Sequence, residues 1–329
     1  MSIGKQNRIA AIDILKFIAV FAVINSHMDI AYGDYSILAT GGAIGDALFF
    51  FASGFMLFRG REYRFDNFMK RRVGRIYPAV IIVAILNAMV YGSQQNIIDS
   101  VIFGGGWFVE CIMIYYVFLW GARKWFIKKL SIVWITASAV IIGAYYYIFE
   151  PSNTTVGMWI YGYTYFKWVF FFTFMLLGAQ MGQHPDRYGY NRWVLLKLIG
   201  CVIFFYAFCF MANKVQILED LQYLTILPLL GITYYIYVLC CAPIFKRLYA
   251  NRICGQVIYI IGGLCLDSYL VQFFIISDKY NYLFPLNIFL ITLCILVAAY
   301  VVNFLSSALR DTFNKDNYRW RDYLLWRQE

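Results

Sequence analysis

The sequence predicts an all-α integral membrane protein, a bundle of about ten transmembrane helices with both termini in the cytoplasm. Hydrophobic residues make up 62% of its 329 residues and charged residues only 14%, against roughly 45–50% and about 25% in soluble domains. A bilayer core of about 30 Å needs roughly 20 helical residues, and apolar stretches of that size fill nearly the whole chain. Lipid must therefore solvate most of the surface, and no room remains for a sizeable soluble domain.

Ten apolar segments, taken in order, define the predicted spans. They lie at 9–30, 41–59, 76–92, 106–121, 131–149, 165–182, 194–212, 224–243, 255–276 and 286–307. The first is longer than the apolar core of a signal peptide and lacks a small-residue cleavage site, so we expect it to be retained. Together the spans form one ten-helix domain over residues 1–313. Residues 314–329 mix aromatic with basic side chains, which suits a cytoplasmic, interfacial amphipathic tail.

Basic residues decide the orientation of these spans. They concentrate before span 1 and after spans 2, 4, 6, 8 and 10, whereas the alternate connectors contain only Lys167, Lys214 and Lys279. This bias places both termini in the cytoplasm and favours an even number of helices. It also accounts for most of the net charge of +10 without a nucleic-acid partner.

Ionisable residues inside apolar spans are costly and are functional candidates by default. Span 1 contains Asp13, Lys16 and His27. Lys16 and His27 are eleven positions apart, so they share a helix face at depths that differ by roughly 16 Å. Asp13 can pair with Lys16 one turn away. The histidine, near the outer surface, either makes a structural hydrogen bond or acts as a general base.

Other spans bring acids towards a similar depth. Asp46 lies in the first turns of span 2, Glu110 in those of span 4, and Asp267 near the middle of span 9, with Gln272 more than a turn above it. A carboxylate that holds one ring nitrogen orients an imidazole as a base. We therefore expect one of these acids to meet His27, and the sequence does not choose among them.

The connector before span 3 carries Arg71, Arg72 and Arg75 within five residues, followed by Tyr77. One interpretation is a topology anchor. The other is a phosphate clamp, because guanidinium groups match phosphate oxygens with paired hydrogen bonds. The eight cysteines lie in or beside apolar segments, where they behave as small hydrophobic residues. No metal-ligand spacing is visible, so we expect no metal.

Five segments resemble the motifs of the membrane acyltransferase-3 family, ten-helix bacterial enzymes that acylate sugars of surface glycans. They are Ile12-Asp13-Ile14-Leu15-Lys16 followed by His27, Leu48-Phe49-Phe50-Phe51-Ala52-Ser53-Gly54-Phe55, Arg72-Val73-Gly74-Arg75-Ile76-Tyr77-Pro78, Trp107-Phe108, and Leu266-Asp267-Ser268-Tyr269-Leu270-Val271-Gln272. The ordered set covers most of the chain. It departs from the family at Lys16, where many members have arginine, and at Gln272, where many have histidine.

The resemblance implies a multi-pass O-acyltransferase of the bacterial inner membrane. Its donor would be acetyl-CoA or a related acyl-CoA, and its acceptor a sugar hydroxyl of a glycan or lipid-linked sugar. His27 would then either deprotonate that hydroxyl or carry the acyl group itself. The resemblance implies that His27 is the catalytic histidine, Lys16 its basic partner, and Arg72 and Arg75 contacts for the donor. The interpretation of the residues themselves adds further candidates: Asp13, Glu110 and Asp267 for catalysis, Arg71, Tyr77 and Ser53 for the donor, and Asp46, Trp107, Tyr269 and Gln272 for the acceptor.

Two other classes of function stay open at this point. A polar pathway through ten helices also suits a transporter or flippase of a lipid-linked glycan or acyl group, although no inverted repeat is visible. A non-catalytic membrane subunit with structural polar pairs is the third class. Saturable binding of acetyl-CoA would separate the enzyme from both.

Overall fold

A computed structural model describes residues 9–91, 101, 106–148, 166–212, 214–312 and 319–327. Within these ranges the regular structure is helical throughout, and no residue is in a β-strand. This confirms the all-α class that the apolar segments predict.

The α-helices are numbered here in chain order. They are α1 (Ala10–Ser26), α2 (Asp29–Tyr32), α3 (Gly42–Arg59), α4 (Phe65–Tyr91), α5 (Trp107–Phe126), α6 (Leu130–Ile148), α7 (Phe166–Phe170), α8 (Phe172–Gln183), α9 (Val194–Ala212), α10 (Gln216–Asp220), α11 (Ile226–Cys240), α12 (Pro243–Ala250), α13 (Arg252–Gly263), α14 (Cys265–Val271) and α15 (Leu286–Thr312). We call the end of the bundle where α3 ends and α4 begins the basic end. The end where α1 stops is the distal end.

Among the described residues, six helical stretches are long and apolar enough to cross a membrane. The number rises to eight if each of two bent pairs is one span: α1 with Asp29–Leu38, bent by 69°, and α13 with Cys265–Phe274, bent by 56°. The chain is therefore a multi-pass membrane protein. The predicted ten crossings and the cytoplasmic location of both termini stay predictions. The helices α5 and α6, which correspond to predicted spans 4 and 5, here belong to one stretch, Trp107–Tyr145.

Some helix boundaries differ from those of the apolar segments for physical reasons. α4 begins at Phe65, well before the span predicted at 76–92, because the helix continues through basic turns that hydropathy does not register. α1 ends at Ser26, although the predicted span runs to residue 30. Apolar side chains continue past that break, so an apolar run alone cannot mark it.

Glycines allow α3 and α8 to pack backbone against backbone. Gly54 on α3 and Gly178 and Gly182 on α8 face the opposite helix, and a Cβ at any of them would overlap one of its backbone carbonyl oxygens. Small residues of this kind permit close helix approach inside membranes. We call this contact the glycine seam. It fixes the position of α3, which carries Asp46 and Ser53.

A side chain from α5 caps the end of α3. The Arg123 guanidinium donates to the carbonyl oxygens of Leu57 and Gly60 and lies over the Phe58 ring, 5.7 Å from its centroid. The last carbonyl groups of a helix lack partners within the helix, and a cation there also opposes the helix dipole. Arg123 therefore has a structural role beyond its contribution to the charge bias.

The described part of the predicted interfacial tail, residues 319–327, packs against the bundle. The Arg327 amide donates to Gln256 Oε1 (3.0 Å), and its guanidinium donates to the Tyr249 carbonyl oxygen. The Trp320 ring stacks on Phe304 with centroids 5.9 Å apart. Beyond a 3-10 turn at Trp320–Tyr323 this part contains no helix, and residues 314–318 and 328–329 of the predicted tail lie outside the described residues.

Candidate active site

His27 lies at a corner where the first helix stops. Its backbone amide donates to the Ile24 carbonyl oxygen (3.2 Å), and the chain then turns by 69° into residues 29–38. A helix end leaves backbone groups that need partners. A corner inside an apolar bundle therefore needs polar side chains to complete it.

Three asparagines hold this corner. Asn25 Nδ2 donates to two carbonyl oxygens of the segment 28–40 (2.8 and 2.9 Å). Asn281 and Asn287 each donate to one more carbonyl oxygen of the same segment (2.8 and 2.7 Å). The asparagines fold segment 28–40 back over the distal end and fix the backbone on which the imidazole stands.

The His27 imidazole is half-buried. Its ring lies edge-on to that of Phe273, with centroids 5.1 Å apart and planes at 66°. Within the described part of the chain it makes no hydrogen bond. The charged groups that act on it electrostatically are Asp29 and Lys167, rather than Asp46 or another of the expected acids.

A run of aromatic rings continues from Phe273 around this space. Tyr269 is 6.3 Å from Phe273, Phe108 is 5.4 Å from Tyr269, and Trp107 is 6.0 Å from Phe108, measured between ring centroids. We call these four residues the aromatic wall. A Cβ on Gly106, where φ is +154°, would come within 2.7 Å of Tyr269 Oη, so this position favours glycine for both conformation and space.

Lys167 adds a cation beside this wall. Its Nζ lies 4.5 Å from the centroid of the Trp107 ring, and its charge interacts with those of Asp46 and His27. Asp46 is half-buried and hydrogen-bonds to no described residue. Lys167 on α7 thus interacts electrostatically both with Asp46 on α3 and with His27 directly after α1.

A second polar cluster lies towards the basic end. Tyr249 Oη donates to Asp13 Oδ2 (2.6 Å), and Asn303 Nδ2 donates to Asp267 Oδ2 (2.7 Å). Cys265 Sγ lies 3.9 Å from the Lys16 carbonyl oxygen, and the charges of Lys16, Arg75, Asp267 and Asp13 act on this thiol. Asp267 therefore belongs to this second polar cluster, and among the described residues no hydrogen bond joins it to His27.

Glu110 and Gln272 occupy separate positions. Glu110 is half-buried and acts electrostatically on Cys111 and Tyr269 rather than on His27. Gln272 is fully buried, and both polar atoms of its amide lack a hydrogen-bond partner among the described residues. It directly precedes Phe273 of the aromatic wall.

The three candidate donor arginines lie along one side of α4. Arg71 and Arg75 are exposed, and the Arg71 guanidinium lies 4.3 Å from the Tyr63 ring centroid. Arg72 is half-buried between Phe68 and Tyr116, at 5.5 and 5.6 Å from the ring centroids. Three guanidinium groups thus lie in adjacent positions near the basic end.

Ser53 and Tyr77 are both half-buried. Ser53 makes no hydrogen bond within the described residues and precedes Gly54 of the glycine seam.

Sequence reasoning missed three residues that complete these clusters. Lys167 was counted only as an exception to the charge bias, although an ionisable residue at the start of an apolar span is itself a functional signal. Tyr249 and Asn303 pair with acids far away in the chain, and no local pattern in the sequence indicates such partners.

A comparison against protein families gives a match over most of the chain. The model of the acyltransferase-3 family, described as an acyltransferase domain, matches residues 9–309. No curated protein matches the chain, and no solved structure matches it.

Proposed function

Since the chain belongs to the acyltransferase-3 family of membrane acyltransferases, we propose that it moves an acetyl or related acyl group from cytoplasmic acyl-CoA to a sugar hydroxyl. The acceptor is a surface or lipid-linked glycan, and His27 is the general base. The protein then works in the inner membrane of a bacterium, where donor and acceptor reach it from opposite sides.

The observation that carries this proposal is the state of the His27 imidazole. If His27 had only a structural role, its ring would be expected to form a hydrogen bond within the fold. The ring instead hydrogen-bonds to no described residue. Buried polar groups normally have hydrogen-bond partners. Because this half-buried ring has none among the described residues, its nitrogens can interact with a substrate. Histidine is also the side chain best suited to proton transfer near neutral pH.

The donor fits the basic end. Arg71 and Arg75 are exposed on α4, and exposed guanidinium groups match the phosphates of a nucleotide. Arg72 is held between two aromatic rings and supports that surface. Ser53 and Tyr77 are half-buried and line the proposed route of the pantetheine arm.

The acceptor fits the distal end. Trp107 and Tyr269 of the aromatic wall offer ring faces of the kind that stack on sugars, and Asp46 offers carboxylate oxygens to hydroxyl groups. Gln272 is fully buried, so it contributes to this subsite only if the residues that cover it move. Glu110 is a catalytic candidate on the sequence, but because it acts electrostatically on Tyr269 rather than on His27, its proposed role here is contact with the acceptor.

The reaction as proposed balances with His27 and the two substrates. His27 removes the proton of the sugar hydroxyl as its oxygen bonds to the thioester carbonyl carbon. The carbon–sulfur bond then breaks, and the departing thiolate takes the proton from the imidazolium. The products are an O-acyl sugar and CoA. An acyl-histidine route would use the same residue as a nucleophile in two successive steps.

The proposal is tested in a strain of the source organism that lacks the gene. Base-labile acetyl groups on its envelope glycans are measured by mass spectrometry, before and after complementation. We expect the wild-type gene to restore them and His27→Ala to fail while the variant protein accumulates normally. His184→Ala is the matched control, because His184 is exposed in a connector and its loss should change nothing. Full acetylation with His27→Ala would refute the role of His27.

A further inference from the structure

A cavity of about 660 Å³ lies at the basic end, between the connector that joins α3 to α4 and the last turns of α5. Its volume falls within the range of small-molecule sites, about 300–1,000 Å³. Three aromatic side chains belong to its lining, those of Tyr63, Phe65 and Trp120. We call it the connector cavity.

The aromatic part of the lining is held in place. Trp120 Nε1 donates to the Tyr63 carbonyl oxygen (3.0 Å), and the Trp120 ring lies edge-on to that of Phe65, with centroids 5.1 Å apart and planes at 67°. Flat bases bind to aromatic side chains by stacking. Rings that are already fixed lose little conformational freedom when such a ligand binds.

The charged part of the lining carries no net charge. Lys124 Nζ lies 3.6 Å from Glu62 Oε1, and Arg64 Nη2 lies 3.4 Å from Asp66 Oδ2. The side chains of Arg64 and Asp66 are 84% and 61% exposed, so we assign that pair no contact with a ligand. Aromatic rings with balanced charges suit a flat, neutral group with polar edges better than they suit a phosphate.

Groups that do suit phosphates lie directly beside the cavity. The Arg71 guanidinium is 4.3 Å from the centroid of the Tyr63 ring, so a cation of the candidate clamp touches the cavity wall. Arg75 follows one turn later on α4, and both arginines are exposed. A ligand that fills the cavity and extends past Tyr63 would bring attached phosphates to these guanidinium groups. A nucleotide has its parts in this order, a flat base and a ribose followed by anions.

We propose that the connector cavity holds the adenosine part of the acyl-CoA donor, with the adenine against the rings of Phe65 and Trp120 and the phosphates on Arg71 and Arg75. This inference rests on the proposed function, since it concerns the donor of the same reaction. The Glu62 carboxylate accepts hydrogen bonds from the polar edge of the nucleoside. The cavity thereby gives the enzyme a preference for a whole acyl-CoA over a shorter thioester.

The alternative is that these rings only anchor the protein at the membrane interface, where tryptophan and tyrosine are common. An anchor contacts lipid, so replacing one of its rings would affect every thioester donor alike. Replacing a ring of a nucleoside site would affect only a donor that carries adenosine. Acetyl-CoA and S-acetyl-4′-phosphopantetheine, which lacks the nucleotide, therefore separate the two roles.

The assay uses permeabilised membranes of the deletion strain, complemented with each variant, so that the native acceptor is present. Each donor carries a radiolabelled acetyl group, and base-labile label in the glycan fraction gives initial rates per amount of enzyme. We expect Phe65→Leu to raise the KM for acetyl-CoA about 10-fold, as for the loss of a stacking partner, with an unchanged kcat. Its kcat/KM for the short donor should equal that of the wild type.

Two further variants serve as controls. Phe65→Tyr keeps an aromatic ring and should keep the wild-type KM. Trp193→Leu should also keep it, because Trp193 is likewise an exposed ring beside an arginine, with Arg192 5.2 Å from its centroid, but it does not line the cavity. Phe65 is exposed, so its variants are expected to fold, and an unchanged kcat reports that they do.

The outcomes separate this inference from the function on which it rests. A wild-type KM for Phe65→Leu, or an equal loss of kcat/KM for both donors, would overturn the adenosine site and leave the proposed function standing. Absence of glycan acetylation from acetyl-CoA by the wild-type protein would overturn the proposed function as well.

Discussion

The substitution Gly54→Ala tests the contact that fixes α3 against α8. Gly54 belongs to the Ser-Gly-Phe segment that resembles a family motif, and the structure gives it a packing role in the glycine seam. A Cβ on Gly54 would overlap the Met175 carbonyl oxygen and would also come within 2.8 Å of the Met175 carbonyl carbon and 3.0 Å of the Ala179 nitrogen.

The size of the effect follows from which atoms the new methyl group would meet. They belong to the backbone of α8, so no side-chain rotation can relieve the overlap. The two helices must therefore separate by roughly 1 Å, and a gap of that size forfeits about a quarter to a half of the dispersion energy of each affected contact. Overpacking of a tight core costs about 1–3 kcal/mol and occasionally more. We expect a loss near the upper end of that range, about 3 kcal/mol.

The assay is unfolding in mixed micelles by titration with sodium dodecyl sulfate, followed by far-UV circular dichroism. Gly200→Ala on α9 is the matched control, because a Cβ there meets no atom within 4 Å. Alanine is the better helix former by about 1 kcal/mol, so Gly200→Ala should leave stability unchanged or raise it. An unfolding midpoint for Gly54→Ala equal to that of the wild type would refute the packing reasoning.

Two further predictions concern the basic end. Replacing the exposed Arg71 and Arg75 together by alanine should weaken acetyl-CoA binding at least about 100-fold, since each charged hydrogen bond contributes about 1.5–3 kcal/mol. Calorimetry checks this against Arg64→Ala as control, and an unchanged affinity would rule out the clamp. Tyr249→Phe removes the hydrogen bond to Asp13 and should lower the free energy of unfolding by about 1.5–3 kcal/mol, so a wild-type unfolding curve would contradict a structural role for that pair.

Apolar periodicity predicts the helices of this chain well and their interruptions poorly. The run at 194–212 coincides with α9, and the run at 41–59 with α3. Span 9 instead breaks at Leu264 into α13 and α14, bent by 56°. A break in an apolar helix depends on partners from other helices that satisfy its freed backbone groups. Those partners are distant in sequence, so hydropathy cannot reveal the break.

The site residues divide in the same way: relations within one helix can be predicted from the sequence, and contacts between helices cannot. His27 and Lys16 could be placed on one helix face because helical geometry relates them directly. The partner of a buried acid could not be predicted, because Asp267 meets Asn303 through the packing of α14 on α15. Lys167 shows a different limit of sequence reasoning. Because its charge was counted only with those of the connectors, its electrostatic interaction with Asp46 was missed. Charge statistics describe topology, whereas three-dimensional packing decides which charges meet.

The spacing of the two polar clusters explains why acyl transfer suits this bundle better than transport. The cluster around Asp13 and Lys16 and the corner at His27 lie at opposite ends of α1, roughly 16 Å apart along a continuous helix. A transporter needs one central site that each side of the membrane reaches in turn, which requires the surrounding helices to move. An acyl-CoA can keep its phosphates at the basic end while its narrow pantetheine arm spans the distance. On the proposed function, the asparagines that fix the His27 corner are therefore an advantage, because the acyl group crosses the membrane and α1 stays in place.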